Sequence, residues 1–489
     1  MHKAHAKTMA EDSPSARIAS ACRLSPADEG IYSPPEEDVF VTPDRIKMGQ
    51  IPASWEIWAK WGIAGITAVI ILSAAATGFP GTFLQDVPKA PLGKLWFWTM
   101  SAYGAVYYCA MIWRVLLWLG YRPVPPVDNE SLPAISVIIP AYNEGRLVED
   151  SISSVAQSNY PEDRLQIIVV DDGSTDDTWH FIQKAASEAS ANVKTIRKPV
   201  NEGKRHALYT GFQHADGEVW VTIDSDSIVE RNAIRNGAAP LVRDQRIGLV
   251  AGCVKVLNRN DSLITRLLKV QFSLSFTFSR AYQSRIRGLL TTPGTLSLYR
   301  ASAVRPVLQK WLNQTFLGAP CLTGEDRSMT NLITAQGLHS FFQSSAVVWS
   351  QMPPGYCGMT KMFLRWARSN IRETAVLLSF IFKPFRRDYL WGFRINSLLI
   401  ASTLIVPYLL IFHSYFLLLT SLHWLFRHSV VVSLISLPLA VIYYCNEKDS
   451  DFAWVIAYEF FWVLSCQWII PYAFLTCRRQ GAWITRNSG

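Results

Sequence analysis

Hydrophobic and polar positions divide the chain into contrasting stretches. Residues 1–50 are polar, proline-containing and mixed in charge, the make-up of a mobile tail. Trp61 to Phe79 (WGIAGITAVIILSAAATGF) and Trp96 to Trp113 (WFWTMSAYGAVYYCAMIW) are uncharged, and the second continues past Arg114 into VLLWLG. A run of about 20 apolar residues is enough to cross a bilayer, so residues 51–125 are predicted to hold two transmembrane helices. From 132 to 350 charge returns. AISVIIP (134–140), QIIVV (166–170), VKTIR (193–197), EVWVTI (218–223) and LVAGCVKV (249–256) read as strands. Between them, Arg146 to Gln157, Asp177 to Ala191 and Arg205 to His214 read as helices; the first has Leu147, Val148, Ile152 and Val155 at helical spacing. Alternating strands and helices predict an α/β layer with a mainly parallel sheet.

Beyond Trp349 the texture changes again. In residues 351–395, Met362, Phe363, Trp366 and Ile371 interleave with Arg365, Arg368 and Arg372, the pattern of an amphipathic segment; with spans following, it is read as lying in a membrane interface, packing on a soluble core being the alternative. Residues 396–489 offer three more spans, Asn396 to Leu419, Val430 to Cys445 and Ala453 to Thr476, followed by a basic tail. Glu459 lies inside the last one, where a carboxyl group is costly unless it faces protein or water. Arg122 and the cluster Lys383, Arg386, Arg387 and Arg394 place residues 132–350 in the cytoplasm. Three later spans would put Arg478 and Arg479 outside, so either the parity differs or the last segment is re-entrant.

Composition narrows the class. Of 489 residues, 49% are hydrophobic and 17% charged, and the net charge is +9. Charged residues make up about 25% of ordinary soluble proteins, so this balance excludes a disordered or coiled-coil chain. Eight Cys without a C-x-x-C pair exclude a disulfide scaffold, and the nine His form no H-E-x-x-H. No zinc finger, helix-turn-helix or Lys/Arg-rich run is present, so the charge is read as positive-inside bias and not as a nucleic-acid footprint. MHKAHAKTMA at the start lacks an apolar h-region, so no cleaved signal peptide is expected.

The candidate chemistry sits where strands end. IPAYNEG (139–145) and VVDDGSTDD (169–177) follow the first two strands, and ligands of an α/β sheet bind beyond such ends. Tyr142 offers a face for a base, and Asp171 and Asp172 offer acceptors to base N–H and ribose hydroxyls. D-D-G-S-T alone is also a good turn and helix cap. TIDSDS (222–227) puts Asp224 and Asp226 two apart, which on an extended segment points both to one face. Two such carboxylates repel, and Mg²⁺ or Mn²⁺ would relieve the repulsion and share its remaining sites with phosphate. Lys204, opening a helix after Asn201-Glu202-Gly203, could meet a phosphate there. In Gly324-Glu325-Asp326-Arg327, Asp326 could be a general base and Arg327 could hold a nearby charge, although first-turn carboxylates also serve as plain helix caps. Arg365-Trp366 joins a diphosphate grip to a plane on which a sugar can stack.

Singly these signals are common; their order is not. PAYNEG, VVDDGSTDD, NEGKRHAL, DSDS, PGTLSLYR (293–300), GEDR (324–327) and LRW (364–366) together resemble the processive, membrane-embedded family 2 glycosyltransferases. These include hyaluronan synthases, nodulation chitin-oligosaccharide synthases and, more distantly, cellulose synthases. The resemblance covers roughly residues 132–370. It implies a GT-A-like nucleotide-sugar-binding domain inserted between N-terminal and C-terminal transmembrane helices. It further implies an inverting transfer from a UDP-sugar to a growing β-linked polysaccharide at the lipid bilayer, coupled to export. By the same resemblance, Tyr142, Asp171 and Asp172 form the uridine site, and Lys204 meets the diphosphate. Asp224 and Asp226 form the metal and diphosphate site for Mg²⁺ or Mn²⁺, and Asp326 is the base. Arg365 and Trp366 are what remains of Q-x-x-R-W, whose Gln position is Met362 here. Trp483-Ile484-Thr485-Arg486 is similar to a W-x-T-R stretch found after the last span in some synthases. Two rivals stand beside this reading: a non-processive relative acting on a lipid acceptor, and a membrane transport or binding protein with an inactive nucleotide fold.

Overall fold

The protein is described here by a computed structural model covering residues 53–78, 93–412 and 424–479. The tail expected over 1–50, the end of the third predicted span and the 483–486 stretch lie outside the described residues. Helices α1 (Ala53–Ala76) and α2 (Gly93–Leu119) coincide with the first two uncharged runs. Trp58, Trp61, Leu72, Trp98 and Leu116 point outward from them unburied. A helix this apolar on its outer face belongs in hydrocarbon.

Ten strands follow. They are β1 (Ile135–Ala141), β2 (Leu165–Asp171), β3 (Asn192–Arg197), β4 (Val219–Ile223), β5 (Ser227–Val229), β6 (Ile247–Val256), β7 (Leu296–Arg300), β8 (Thr315–Phe316), β9 (Ala319–Pro320) and β10 (His339–Ser350). Eight form one sheet in the order β3-β2-β1-β4-β7-β6-β10-β5, and β8 and β9 make a separate hairpin. The pairs β2–β3, β1–β2, β1–β4 and β6–β10 are parallel. Strand β7 runs antiparallel between β4 and β6, and β5 antiparallel beside β10. The sheet is therefore more mixed than the alternation predicted. The five strands read from the sequence are found within two residues of their expected ends. Strands β5, β7 and β10 were not legible: β5 and β7 are too short to carry a period, and β10 (HSFFQSSAVVWS) is interrupted by polar residues.

Helices α3 (Leu147–Ala156), α4 (Thr178–Glu188), α5 (Lys204–Gln213) and α6 (Ala233–Arg243) cover the two faces. Val148, Ile152 and Val155 of α3 pack with Val137, Ile167 and Val169 on one side; Ala207, Leu208 and Phe212 of α5 pack with Ile138, Ile168 and Trp220 on the other. A sheet buried on both faces explains the continuous apolar runs of β1 and β2.

Helix α7 (Leu263–Ser273) starts at Ser262 in a capping box and runs into a π-helical turn, Leu274–Arg280. Helix α8 (Glu325–Ala335) carries the GEDR motif at its start, and α9 (Tyr356–Phe380) is the amphipathic segment. Helices α10 (Leu390–Ser402), α11 (Trp424–Glu447), α12 (Phe452–Phe461) and α13 (Ile469–Leu475) complete the described chain. Among the described residues, Trp55–Ala76, Phe97–Leu119, Leu390–Phe412 and Leu425–Glu447 are long and apolar enough to cross a membrane. Phe452–Cys466 and Ile469–Leu475 would make a fifth span as a pair bent by 43°.

Candidate active site

Strands β1, β2 and β4 are parallel neighbours, so their C-terminal ends share one edge of the sheet. The loops after β1 and β2 are tied together there. Ser174 Oγ accepts from the Asn143 N–H at 3.0 Å, and Thr178 Oγ1 accepts from the N–H groups of Glu144 and Gly145 at 2.9 and 2.8 Å. Tyr142 is half-buried on this edge. Asp171 is fully buried, accepts from the Ser174 N–H at 3.0 Å and lies 3.3 Å from Arg197 Nε. Asp172 is also fully buried. It accepts from Lys198 Nζ at 2.5 Å and from the Gly203 N–H at 2.7 Å. Burial pushes the Asp172 carboxyl up, while Lys198 and the two backbone N–H groups of 202 and 203 pull it down. Its visible task is to anchor the loop that opens α5. Lys198 was not singled out in the sequence; its signal is a lysine just past β3, level with the aspartates ending β2.

That anchoring sets Lys204. Its ammonium pairs with Asp224 Oδ1 and lies 3.3 Å from Glu325 Oε1. Burial alone would lower the Lys204 pKa, but the Asp224 and Glu325 carboxylates outweigh it and the value rises. Thr295 donates to the other Asp224 oxygen at 3.1 Å. The three charged groups meet over Gly294, where a Cβ would lie 2.9 Å from Lys204 Nζ. Any side chain at 294 would fill the centre of the cleft, which accounts for the glycine in PGTLSLYR.

The extended DSDS segment of the sequence reading does not form. Ser227 N–H donates to the Asp224 carbonyl at 3.2 Å, closing a turn between β4 and β5. The turn, and not a strand pleat, sets where Asp224 and Asp226 project, because the chain must reverse to pair β5 with β10. Both carboxylates are half-buried, and Asp226 accepts from its neighbour Ser227 Oγ at 3.1 Å. Among the described residues no group of three or more His, Cys, Asp or Glu side chains could hold a metal by itself. Lys204 and Thr295 take the two Asp224 oxygens, so a hard divalent cation on these oxygen ligands would share Asp224 with the lysine and take the rest of its ligands from phosphate.

Asp326 is on the first turn of α8, after Gly324 at φ +79°. Burial pushes its carboxyl up to about 6; the Glu325 and Asp224 charges add to this, while the Arg327 N–H and Lys204 oppose it. The adjacent Glu325 goes the other way: Lys204, Arg205 and Arg365 overcome its burial and lower it. Two neighbouring carboxyls with values pushed apart are the arrangement that separates a proton-taking group from a permanent charge. The GEDR motif by itself assigns Glu325 no task.

Arg327 departs from its expected place. It is buried and faces α9, donating to Asn370 Oδ1 at 2.5 Å and Thr374 Oγ1 at 2.9 Å. Successive helical residues diverge by about 100°, so with Glu325 and Asp326 bordering the cleft the next position, Arg327, is turned toward α9. Arg365 is half-buried, and its charge reaches Glu325. Trp366 is 37% exposed and held edge-on by Phe363 at 5.6 Å, with Phe272 at 5.9 Å. Met362, at the motif Gln position, packs against the apolar core.

An α/β layer flanked by apolar helices, with acidic groups and a lysine at the ends of its central strands, has the GT-A-like architecture of nucleotide-sugar transferases. Residues 136–308 match the family described as glycosyl transferase family 2. An N-acetylglucosaminyltransferase of Azorhizobium caulinodans is 30% identical over 392 residues, covering 78% of this chain and 95% of that protein. A hyaluronan synthase of Streptococcus pyogenes is 30% identical over 283 residues, 57% of this chain and 66% of that protein. The present chain thus spans just under two thirds of that synthase. A solved mannosyltransferase from Pyrobaculum calidifontis, in complex with GDP-Man and Mn²⁺, superposes with a TM-score of 0.53 at 21% identity. That match covers 73% of this chain and 96% of that one and concerns the fold. The chain belongs to glycosyltransferase family 2. It is a glycosyltransferase and, with four helices able to span a bilayer, a membrane protein.

Proposed function

We propose that this protein transfers sugar from a UDP-sugar to a growing β-linked polysaccharide with inversion, and passes the product into the membrane beside the site. The observation that carries this reading is the placing of Asp326, its carboxyl pushed up to about 6, beside the Lys204–Asp224 pair. Asp326 would take the proton from the acceptor hydroxyl as it attacks the anomeric carbon. A base with a value near working pH suits that step. Lys204 would neutralise the departing diphosphate, which needs charge stabilisation more than covalent help. Asp224 and Asp226 would hold Mg²⁺ or Mn²⁺, which supplies further positive charge to the diphosphate when bound. Tyr142 and Asp171 would border the base and ribose, with Asp172 shaping their loop. Arg365 would supply charge on the acceptor side, and Trp366 a stacking face. Arg327 acts through α9 in this reading. The sugar is proposed to be N-acetylglucosamine, with or without glucuronic acid, because the relatives at about 30% identity are named for N-acetylglucosamine transfer and hyaluronan synthesis.

The catalytic domain is proposed to face the cytoplasm, a reading that the basic clusters beside the spans support. Part of that charge also has local work: Arg386 donates to the carbonyls of Arg287, Ile286 and Tyr389. The deciding experiment incubates membranes with a panel of UDP-sugars and Mg²⁺ or Mn²⁺, follows UDP release, and digests the product with chitinase and hyaluronidase. A product of one or two sugars on lipid would overturn polymer synthesis. An absence of UDP release with every donor would overturn transfer itself.

A further inference from the structure

Helices α5, α8 and α9 meet in a buried polar network outside the cleft. Glu373 of α9 is 1% exposed. Its Oε1 accepts from Gln314 Nε2 at 2.7 Å and its Oε2 from Asn331 Nδ2 of α8 at 2.9 Å. Gln314 Oε1 in turn accepts from Arg205 Nη1 of α5 at 3.1 Å and from Ser328 Oγ of α8 at 2.7 Å. Arg205 adjoins Lys204, and Asn331 and Ser328 are on the helix that begins with Glu325 and Asp326. Burial pushes the Arg205 and Arg327 guanidiniums down. Glu373 is among the carboxylates that draw each back up.

We infer that Glu373 is a positioning residue: through Gln314 and Asn331 it fixes the spacing between the helix carrying Lys204 and the helix carrying Asp326. The inference rests on the roles proposed above for those two residues. The energetics favour a device of this kind. Buried charge contributes little net stability compared with apolar packing, and although Arg205 Nε and Nη2 are left without hydrogen-bond partners, breaking any of the bonds at Glu373 or Gln314 would strand a further buried polar group, so these bonds favour one arrangement of the three helices. A general base must sit within hydrogen-bond reach of its proton, and small misplacements are expensive. Helix α9 also carries Arg365 and Trp366, so the same carboxylate registers the acceptor side against the donor side.

The bond pattern supplies its own test. Glu373→Gln sets an amide N–H₂ against donor groups, and Gln314→Glu sets carboxylate against carboxylate. The double exchange satisfies every partner: Glu at 314 accepts from Arg205, Ser328 and the new Gln at 373, which accepts from Asn331. Each single variant is expected to lower kcat by about 10- to 100-fold, with the UDP-sugar KM within about twofold and UDP binding retained. The double exchange is expected to return kcat to within about threefold of wild type. Three results would overturn the inference: single variants with wild-type kcat, singles that lose UDP binding together with kcat, or a folded double variant no faster than the worse single. Should the singles fail to fold, the double variant decides alone, and its own failure to fold or to turn over also counts against the network. Asp326→Asn measured alongside separates the two ideas. Activity in that variant removes the proposed base, whereas a dead Asp326→Asn beside a normal Glu373→Gln removes only the positioning role.

Discussion

Asp326 is set first by its burial and next by the Glu325 charge beside it, and this makes the site's response to pH predictable. Asp326 acts as a base only when ionised, and its carboxyl is pushed up to about 6. The rate is therefore expected to fall as pH drops through about 6, giving an acid limb above that of an ordinary carboxylate. Glu325→Gln removes a like charge beside Asp326, so the limb should move to lower pH; a kcat–pH profile of the two enzymes checks the sign. Asp326→Asn should leave UDP binding and thermal unfolding unchanged while lowering transfer by about 10²- to 10⁴-fold. Near-normal polymer output would sink the assignment. At this scale the sequence displayed the right letters but not their directions. Asp326 and Arg327 are adjacent in GEDR, and only the packing of α8 against α9 shows that the second turns away. Asp224 and Asp226 looked like a strand pair until the chain reversal into β5 placed them on a turn.

At the scale of elements, the start of α8 is bolted to α9 at Gly324. A Cβ there would lie 1.8 Å from Ser369 Oγ and 2.8 Å from Ser369 Cβ, at a backbone φ of +79°. Gly324→Ala is expected to cost about 2–4 kcal/mol in thermal unfolding, from the left-handed backbone and the overlap together, and to reduce kcat because Asp326 is two residues away. Adding Ser369→Gly should recover the overlap share and leave the backbone share. If Gly324→Ala is as stable as wild type, the tight junction is refuted. Helix α9 itself was legible, because its apolar positions recur at helical spacing between arginines. Strands β7 and β10 were not. Their place is set by partners distant in sequence, β4 and β6 for the first and β6 with β5 for the second. Trp366 is expected to matter through its exposed face. Trp366→Ala should raise the KM for an oligosaccharide acceptor without changing UDP binding, and an unchanged acceptor KM would remove the stacking role.

Over the whole molecule, ion pairs join the first span, helix α7 and the link between α11 and α12. Glu56 of α1 lies 2.5 Å from Arg266 Nη1 of α7, and Lys60 lies 2.5 Å from Asp451. Lys269 of α7 pairs with Asp451 and lies 2.8 Å from Asp449. The excess of basic residues that the composition assigns to membrane flanks is thus partly spent on internal pairs, which no local pattern could reveal because the partners lie some 180 residues or more apart. Asp451 is the shared member, with both lysines on it. Its removal takes one carboxylate from each half-buried ammonium and leaves Glu56 on Lys60 and Asp449 on Lys269, so Asp451→Asn is expected to cost about 1–3 kcal/mol in detergent-solubilised protein. Burial works to raise the Asp451 carboxyl, but Lys269 and Lys60 overcome it and hold it below the usual range. A carboxyl depressed in the folded state stabilises above its unfolded value and loses that contribution as pH falls through the folded one. The Asp451 share should therefore be complete at neutral pH and disappear only below about pH 4. Wild type and Asp451→Asn should differ by a constant amount from about pH 8 to 5 and converge in more acidic buffer. A difference that persists undiminished into strong acid would mean that Asp451 holds the spans together by shape and not by charge.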